Sequence, residues 1–219
     1  MDISIVNERF GHLKYMSYKK AQFLHKFCNE HDIDDVLELG FFHGKSSAFF
    51  AAIMEEKGSG HVHTFDLKAA LKKTPPIEDV LRELDLSHRV TPVYCHRSFT
   101  WEMGKLIEKE PLPQYDLCYI DGAHTWDGTG FSFFLVDILL KPGGWVLFDD
   151  LDWSIAASPH ARQTNFATYQ AYDEEEREAM QVRKVWEVLV PQRGYTDRQE
   201  FSDLHWGLAR KPLAGNAGH

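Results

Sequence analysis

The chain has 219 residues, 43% hydrophobic and 13% aromatic, enough to bury a substantial core in a single domain. Its 24 Lys plus Arg face 33 Asp plus Glu, and the net charge of −9 argues against nucleic-acid backbones or anionic membranes as partners and in favour of small molecules. Three cysteines, Cys28, Cys95 and Cys118, are odd in number and lack metal spacing, which argues against a disulfide framework or structural zinc and fits a reducing, cytoplasmic setting.

The opening Met1-Asp2-Ile3-Ser4 lacks a basic region followed by an apolar core, so no signal peptide is expected. The longest apolar run, Phe131 to Leu140, is broken by Ser132 and Asp137 and is too short to span a bilayer. From residue 10 to 31, Leu13, Met16, Ala21, Leu24 and Phe27 recur near helical spacing and predict one or two leading helices within 1–33. Val36 to Leu39 reads as the first core strand, and Ser46 to Lys57 as a helix stopped by Gly58. His61 to Asp66 is a second strand, Ile77 to Leu86 a helix after the Pro75-Pro76 break, and Arg89 to Tyr94 a third strand. A helix over Trp101 to Lys109, a strand over Tyr115 to Ile120 and a helix over Phe131 to Leu140 follow. Lys141-Pro142-Gly143-Gly144 reads as a turn into a fifth strand, Trp145 to Phe148.

After residue 153 the pattern changes. Ser154 to Gln170 reads as irregular, lid-like chain, and Asp173 to Val190 as a charged amphipathic helix with an acidic start suited to the helix dipole. Tyr195 to Arg210 reads as two strands that pair antiparallel, because almost no linker separates Phe201 from Trp206. The β-α alternation implies a doubly wound parallel α/β sheet with its ligand at the carboxyl ends of the strands, near the point where strand order reverses. The whole is expected to be one domain: leading helices over 1–33, a binding core over 34–153, and a lid-like segment, helix and hairpin over 154–219.

The first strand runs into Glu38-Leu39-Gly40-Phe41-Phe42-His43-Gly44, a turn whose glycines let a ligand approach the backbone before the next helix. The spacing is not the G-x-G-x-x-G that seats a dinucleotide pyrophosphate, so a ligand without phosphates suits it better. Asp66 ends the next predicted strand, where a carboxylate can accept both hydroxyls of a ribose, which points to a nucleoside.

Two later blocks carry a resemblance. Tyr119-Ile120-Asp121-Gly122-Ala123-His124-Thr125-Trp126-Asp127-Gly128 and Leu140-Lys141-Pro142-Gly143-Gly144-Trp145-Val146-Leu147-Phe148-Asp149-Asp150, together with Val36 to Ser47 and His63 to Asp66, resemble a class I S-adenosylmethionine-dependent methyltransferase, and more closely the small-molecule O-methyltransferases of the macrocin and cephalosporin-pathway type (methyltransferase family 24). The resemblance covers about residues 30 to 153. It implies a Rossmann-like, seven-stranded sheet, mostly parallel with a C-terminal antiparallel strand. It also implies that Glu38, Gly40, Phe41 and Gly44 frame the methionine end of the cofactor, that Asp66 holds the ribose, and that Asp121 touches the cofactor. The acidic residue that the family often places after the third strand is replaced here by Cys95-His96-Arg97-Ser98, which leaves Ser98 as the candidate adenine contact; an ordinary helix cap is the competing reading.

Asp121, Asp149 and Asp150 lie at the ends of two strands that this fold makes neighbours. Three clustered carboxylates repel unless a cation joins them, and magnesium, an oxygen-seeking octahedral ion, could do so while activating the acceptor hydroxyl. Capping of the following turns is the alternative. His124, three residues after Asp121, is the candidate general base, with Asp121 beside it in the catalytic set. His43 is a lesser candidate, and Trp126, Trp153, Phe41 and Phe42 are candidate walls of an acceptor pocket.

The resulting expectation is O-methylation of a small-molecule hydroxyl with magnesium assistance. A metal-independent N- or O-methyltransferase and a nucleoside-binding protein without turnover remain alternatives, while an NAD-dependent oxidoreductase is disfavoured by the missing glycine spacing. A homodimer rests on fold-level habit alone.

Overall fold

The computed structural model describes residues 1–163 and 166–213. His219 and the rest of the C-terminal tail lie outside the described residues. The helices are α1 (Ile3–Phe10), α2 (Tyr18–Glu30), α3 (Lys45–Lys57), α4 (Ile77–Glu83), α5 (Phe99–Ile107), α6 (Trp126–Leu139), α7 (Pro159–Gln163), α8 (Phe166–Gln170), α9 (Glu174–Glu178) and α10 (Gln181–Gln192). The strands are β1 (Asp35–Leu39), β2 (His61–Leu67), β3 (Val90–Cys95), β4 (Tyr115–Ile120), β5 (Leu140–Phe148), β6 (Thr196–Phe201) and β7 (Trp206–Arg210).

They form one seven-stranded sheet in the order β3-β2-β1-β4-β5-β7-β6. β1 to β5 pair in parallel, and β7 pairs antiparallel with both β5 and β6. The first four residues after Asp35 are buried on both faces of the sheet, as expected for a central parallel strand covered by helices. Their side chains alternate between two cores. Val36 packs with Leu117, Leu147 and the helices α1 to α3, while Leu37 and Leu39 pack with Cys118, Ile120, Val146 and the helices α5, α6 and α10. Strand order reverses between β1 and β4, which brings the ends of these two strands together at the switch point.

The expected strand alternation is present, with local departures around it. The leading periodicity resolves into α1 and α2, separated by turns and bends over residues 11–17; Ser17 Oγ accepts the Lys20 amide and starts α2 afresh. α6 begins at Trp126 rather than Phe131, because Thr125 Oγ1 accepts the Gly128 amide and caps it five residues earlier. Trp126 therefore stands on a helix and not in a loop. The Lys141–Gly144 segment, expected as a turn, is drawn into β5 through Leu140 opposite Tyr115, with the register irregular between Tyr115 and Leu117. The helix expected over Asp173–Val190 breaks at Ala179, which is extended (ψ 137°), into α9 and α10. The lid-like segment holds two short helices, α7 and α8.

Asp137, which interrupts the apolar run of α6, is buried and satisfied: Arg193 donates to Oδ2 at 2.7 and 3.0 Å, and the Tyr195 hydroxyl donates to Oδ1 at 2.9 Å. These charge-assisted bonds tie α6 to the chain at the end of α10.

Candidate active site

A cavity of about 540 Å3 opens at the carboxyl ends of β1, β2, β4 and β5, within the range of pockets that hold cofactor-sized ligands. One wall is the turn Gly40–His43 with Ser46 and Asp66; the opposite wall is Asp121, Gly122, Ala123, His124, Asp150 and Trp153; Lys14, Tyr15 and Met16 close the rim. Ten described non-glycine residues have positive φ, and six of them (Tyr15, Met16, Phe42, Ala123, His124 and Asp150) line this one cavity. The other four are three aspartates and a histidine, types that tolerate that conformation. Left-handed backbone costs about 1–3 kcal/mol at residues such as Tyr15, Met16, Phe42 and Ala123 and persists where the surroundings force it, so its concentration here marks a site built for geometry.

Gly40 has φ +101°, and a Cβ there would lie 2.1 Å from the carbonyl oxygen of Asp121. A side chain at this position would prevent the β1 and β4 ends from closing against each other. Gly44 has a different role from the one expected: it starts α3 at φ +84°, outside the cavity, and a Cβ would strike Ile77 at 2.3 Å. Glu38 likewise lies behind the turn and not in the cavity wall. It is fully buried, and its Oε2 accepts from the Ser47 hydroxyl and, at 2.5 Å, from the Thr64 hydroxyl, while Oε1 has no partner. Burial outweighs these hydroxyl bonds and pushes its carboxyl up to about 7.

Asp66 organises the turn. Its Oδ2 accepts the Phe41 and Phe42 amides at 3.0 and 2.6 Å, and Oδ1 accepts the Leu67 amide at 2.6 Å. Burial still holds the carboxyl above its usual range, against those three bonds. Each carboxylate oxygen offers two acceptor positions, so the side facing the cavity can still take a hydroxyl pair. Phe41 is buried edge-on to Tyr94, and Phe42 meets Tyr15 at 5.0 Å in the same manner. His43 reaches the Pro75 carbonyl through Nδ1 at 2.7 Å. Ser98 is not in this cavity. It lies in a neighbouring groove of about 770 Å3 between α5 and α6, at the start of α5 but making no capping bond, and its hydroxyl pairs with that of Thr100 at 2.7 Å.

On the acidic side, the three aspartates separate into two groups. His124 Nε2 lies 2.9 Å from Asp150 Oδ2, and the His124 ring packs on Trp153 with centroids 5.0 Å apart. Asp121, His124 and Asp150 each present a ligand atom within 4.8 Å of the others. Asp149 faces elsewhere: Lys20 Nζ sits 2.7 and 2.8 Å from its two oxygens, the Tyr119 hydroxyl donates to it, and its Oδ1 also accepts the Asp150 amide at 2.7 Å. Asp149, expected as the third carboxylate ligand, is thus paired with Lys20 and lies outside the cluster of Asp121, His124 and Asp150. The set that gathers includes an imidazole, which suits transition metals better than oxygen-seeking magnesium. Burial, with the charges of Asp149 and Asp150, pushes the Asp121 carboxyl well above its usual range, and Lys20 opposes this. Burial would raise Asp150 too, but the hydrogen bond and charge of His124 bring it below its usual value.

Trp126 stands away from the cavity, its ring 5.6 Å from Lys184 Nζ. Sequence reasoning passed over Lys20, Lys45 and the Lys14–Met16 rim. A signal existed for the lysines: both stand in the first turn of a helix, where the dipole disfavours a cation, so each needed another reason to be there.

The profile of a family described as a methyltransferase domain matches residues 37–151. No curated protein matches the sequence. Among solved structures, the fold is similar to a provisionally assigned caffeoyl-CoA O-methyltransferase from Staphylococcus aureus (18% identity, 96% of this chain and 92% of that one, TM-score 0.66). It is also similar to the O-methyltransferase TomG from Streptomyces achromogenes, involved in tomaymycin synthesis and solved with SAM (17% identity, 96% and 87%, TM-score 0.64). MycE of the mycinamycin biosynthetic pathway, solved with Mg, SAH and mycinamycin VI, matches all of this chain over 57% of its own length (13% identity, TM-score 0.62).

Proposed function

The chain belongs to the methyltransferase-domain family, and on that premise we propose that it moves the methyl group of S-adenosylmethionine onto a hydroxyl of a small molecule. The observation that carries this reading is the meeting, in one cavity, of the Gly40–His43 turn and Asp66 with Asp121, His124 and Asp150. S-adenosylmethionine, when bound, supplies an electrophilic methyl on a sulfonium. The turn and Asp66 would orient it, with Asp66 toward the ribose and the tight approach at Gly40 leaving room for the methionine end.

The acceptor hydroxyl would face His124. An ionised Asp150 can only accept, so the imidazole proton belongs on Nε2, and Nδ1 keeps the lone pair that takes the hydroxyl proton as the oxygen attacks. Much of the rate would come from holding oxygen, methyl and leaving sulfur in line. Tyr15, Phe42 and Trp153 around the cavity favour a planar aromatic acceptor. Magnesium assistance is left out of this reading, since Asp149, one of the three carboxylates expected to hold the ion, is bound by Lys20.

Calorimetric titration with S-adenosylmethionine, S-adenosylhomocysteine and NAD, followed by mass-spectrometric detection of S-adenosylhomocysteine with a panel of phenols, aliphatic alcohols and amines, tests the proposal. Binding of the first two ligands and turnover of hydroxyl compounds is the expected result. Tight NAD binding alone would overturn it, and binding without turnover across the panel would favour a nucleoside-binding protein.

A further inference from the structure

The acidic end of the cavity already holds a cation that belongs to the chain. The Lys20 side chain is 16% exposed, its ammonium is bidentate on Asp149 at 2.7 and 2.8 Å, and it lies 5.0 Å from the centre of the Trp206 ring. Asp149 is itself buried beneath the cavity wall. Tyr119, fully buried, links this pair to the wall: its hydroxyl donates to Asp149 and stands 3.2 Å from Asp121 Oδ2. The charge of Lys20 also reaches Asp121, where it opposes the rise caused by burial and the neighbouring carboxylates, and Asp150, where it adds to the lowering by His124. A single ammonium thus acts on all three strand-end carboxylates.

We propose that Lys20 is the resident counter-cation of Asp149, standing where an ion shared by Asp121, Asp149 and Asp150 would need that carboxylate, so that the three aspartates do not share an oxygen-seeking divalent ion and the reaction proceeds without one. The proposal rests on the methyltransferase reading for its last clause only. A divalent ion bound to Asp149 would stand beside a poorly solvated ammonium, and repulsion between like charges is strong where water screens little. Lys20 does not touch the cavity, so it is a positioning residue: it holds Asp149, which fixes the Asp150 amide, and Asp150 in turn holds His124.

The test is a manganese titration of the full-length protein by calorimetry and electron paramagnetic resonance, on the wild type and on Lys20→Met, with S-adenosylhomocysteine binding measured in the same samples. The wild type should bind manganese no tighter than about 1 mM, and its methyl transfer should not depend on magnesium or manganese. Lys20→Met should bind manganese at least roughly tenfold more tightly, the scale on which neighbours of a metal site tune affinity. Micromolar manganese binding by the wild type, weakened by Asp149→Asn, would overturn the proposal, as would wild-type turnover that is lost in chelator and restored by magnesium or manganese. If Lys20→Met does not fold, the wild-type titration decides alone. Failure to bind S-adenosylhomocysteine counts against the methyltransferase reading and leaves the manganese result to judge Lys20 by itself.

Discussion

His124 Nε2 and Asp150 Oδ2 stand 2.9 Å apart, although they come from the ends of different strands and both have left-handed backbone (φ 45° and 58°). The Asp150 turn is held by its own amide bonding Asp149 Oδ1, so the imidazole is presented to the cavity by a chain of contacts that runs back to Lys20. Such a chain orients a base and selects its tautomer, the two properties a proton acceptor needs before its basicity matters.

Replacing His124 with Gln should therefore lower kcat by roughly 10²-fold or more, the usual contribution of a general base, with little change in S-adenosylmethionine affinity. Asp150→Asn should lower kcat less and alter its pH profile, since the amide can present the wrong partner to Nε2. Steady-state kinetics with calorimetric cofactor binding separates the two effects. Unchanged kcat in His124→Gln would remove the histidine from the chemistry.

Glu38 makes stability depend on pH in the direction opposite to the common one. Its carboxyl is at about 7 when folded against an ordinary 4.5, so between those values the folded state keeps a proton that the unfolded chain has lost. Stability must then fall as pH rises through that window, by up to about 3 kcal/mol, and level off above it. Glu38→Gln lacks the titrating group, so its stability relative to the wild type should rise between pH 5 and pH 8. Denaturant unfolding of both proteins at the two pH values measures this, and parallel curves would show that Glu38 is ionised in the fold.

The five parallel strands were legible because strands buried on both faces read as short aliphatic runs, and Val36-Leu37 and Val146-Leu147 allow little else. Asp66 and the Asp121–His124 block were legible because strand ends at a switch point are where this fold puts its chemistry. What the sequence concealed depended on long-range contact. Lys20 lies 129 positions from Asp149, and nothing in the pattern of α2 distinguishes it from its neighbour Lys19, which pairs at the surface with Asp203. Glu38 and Gly44 lie beside cavity residues in the chain, yet one faces α3 and the other Ile77; adjacency in a turn does not fix which side chains reach the ligand.

Gly40→Ala should be among the most damaging single changes. At φ +101° the backbone alone costs about 1–3 kcal/mol for a residue with a Cβ, and the new carbon would overlap the Asp121 carbonyl at 2.1 Å. Relief requires β1 and β4 to part at the switch point, which would also disturb the Gly40 amide bond to the Phe65 carbonyl at 2.7 Å. A lower melting temperature together with loss of S-adenosylhomocysteine binding is expected. A variant that binds normally would show that the β1–β4 approach is not what shapes the cavity.

Lys45 offers a test of the rim. Its ammonium is buried in the first turn of α3 and donates to the carbonyls of Gly11, Leu13 and Tyr15 at 3.1, 2.7 and 3.2 Å. Those three bonds curl residues 11–15 back over the cavity, where Tyr15 meets the Phe42 ring. Burial lowers the Lys45 pKa, yet three carbonyl acceptors are a suitable cage for a charged ammonium, which can donate three hydrogens. Removing the charge with Lys45→Met keeps much of the apolar stem and should release the segment. Each charge-assisted bond contributes about 1.5–3 kcal/mol at most, and geometry and solvent reduce the sum. Hydrogen exchange over residues 11–16 should accelerate, and cofactor affinity should fall, while exchange in β1 and β4 stays slow. Faster exchange throughout the sheet would mean that Lys45 supports the fold rather than the rim. Unchanged exchange at 11–16 would mean that packing of Tyr15 and Met16 holds the segment without the lysine.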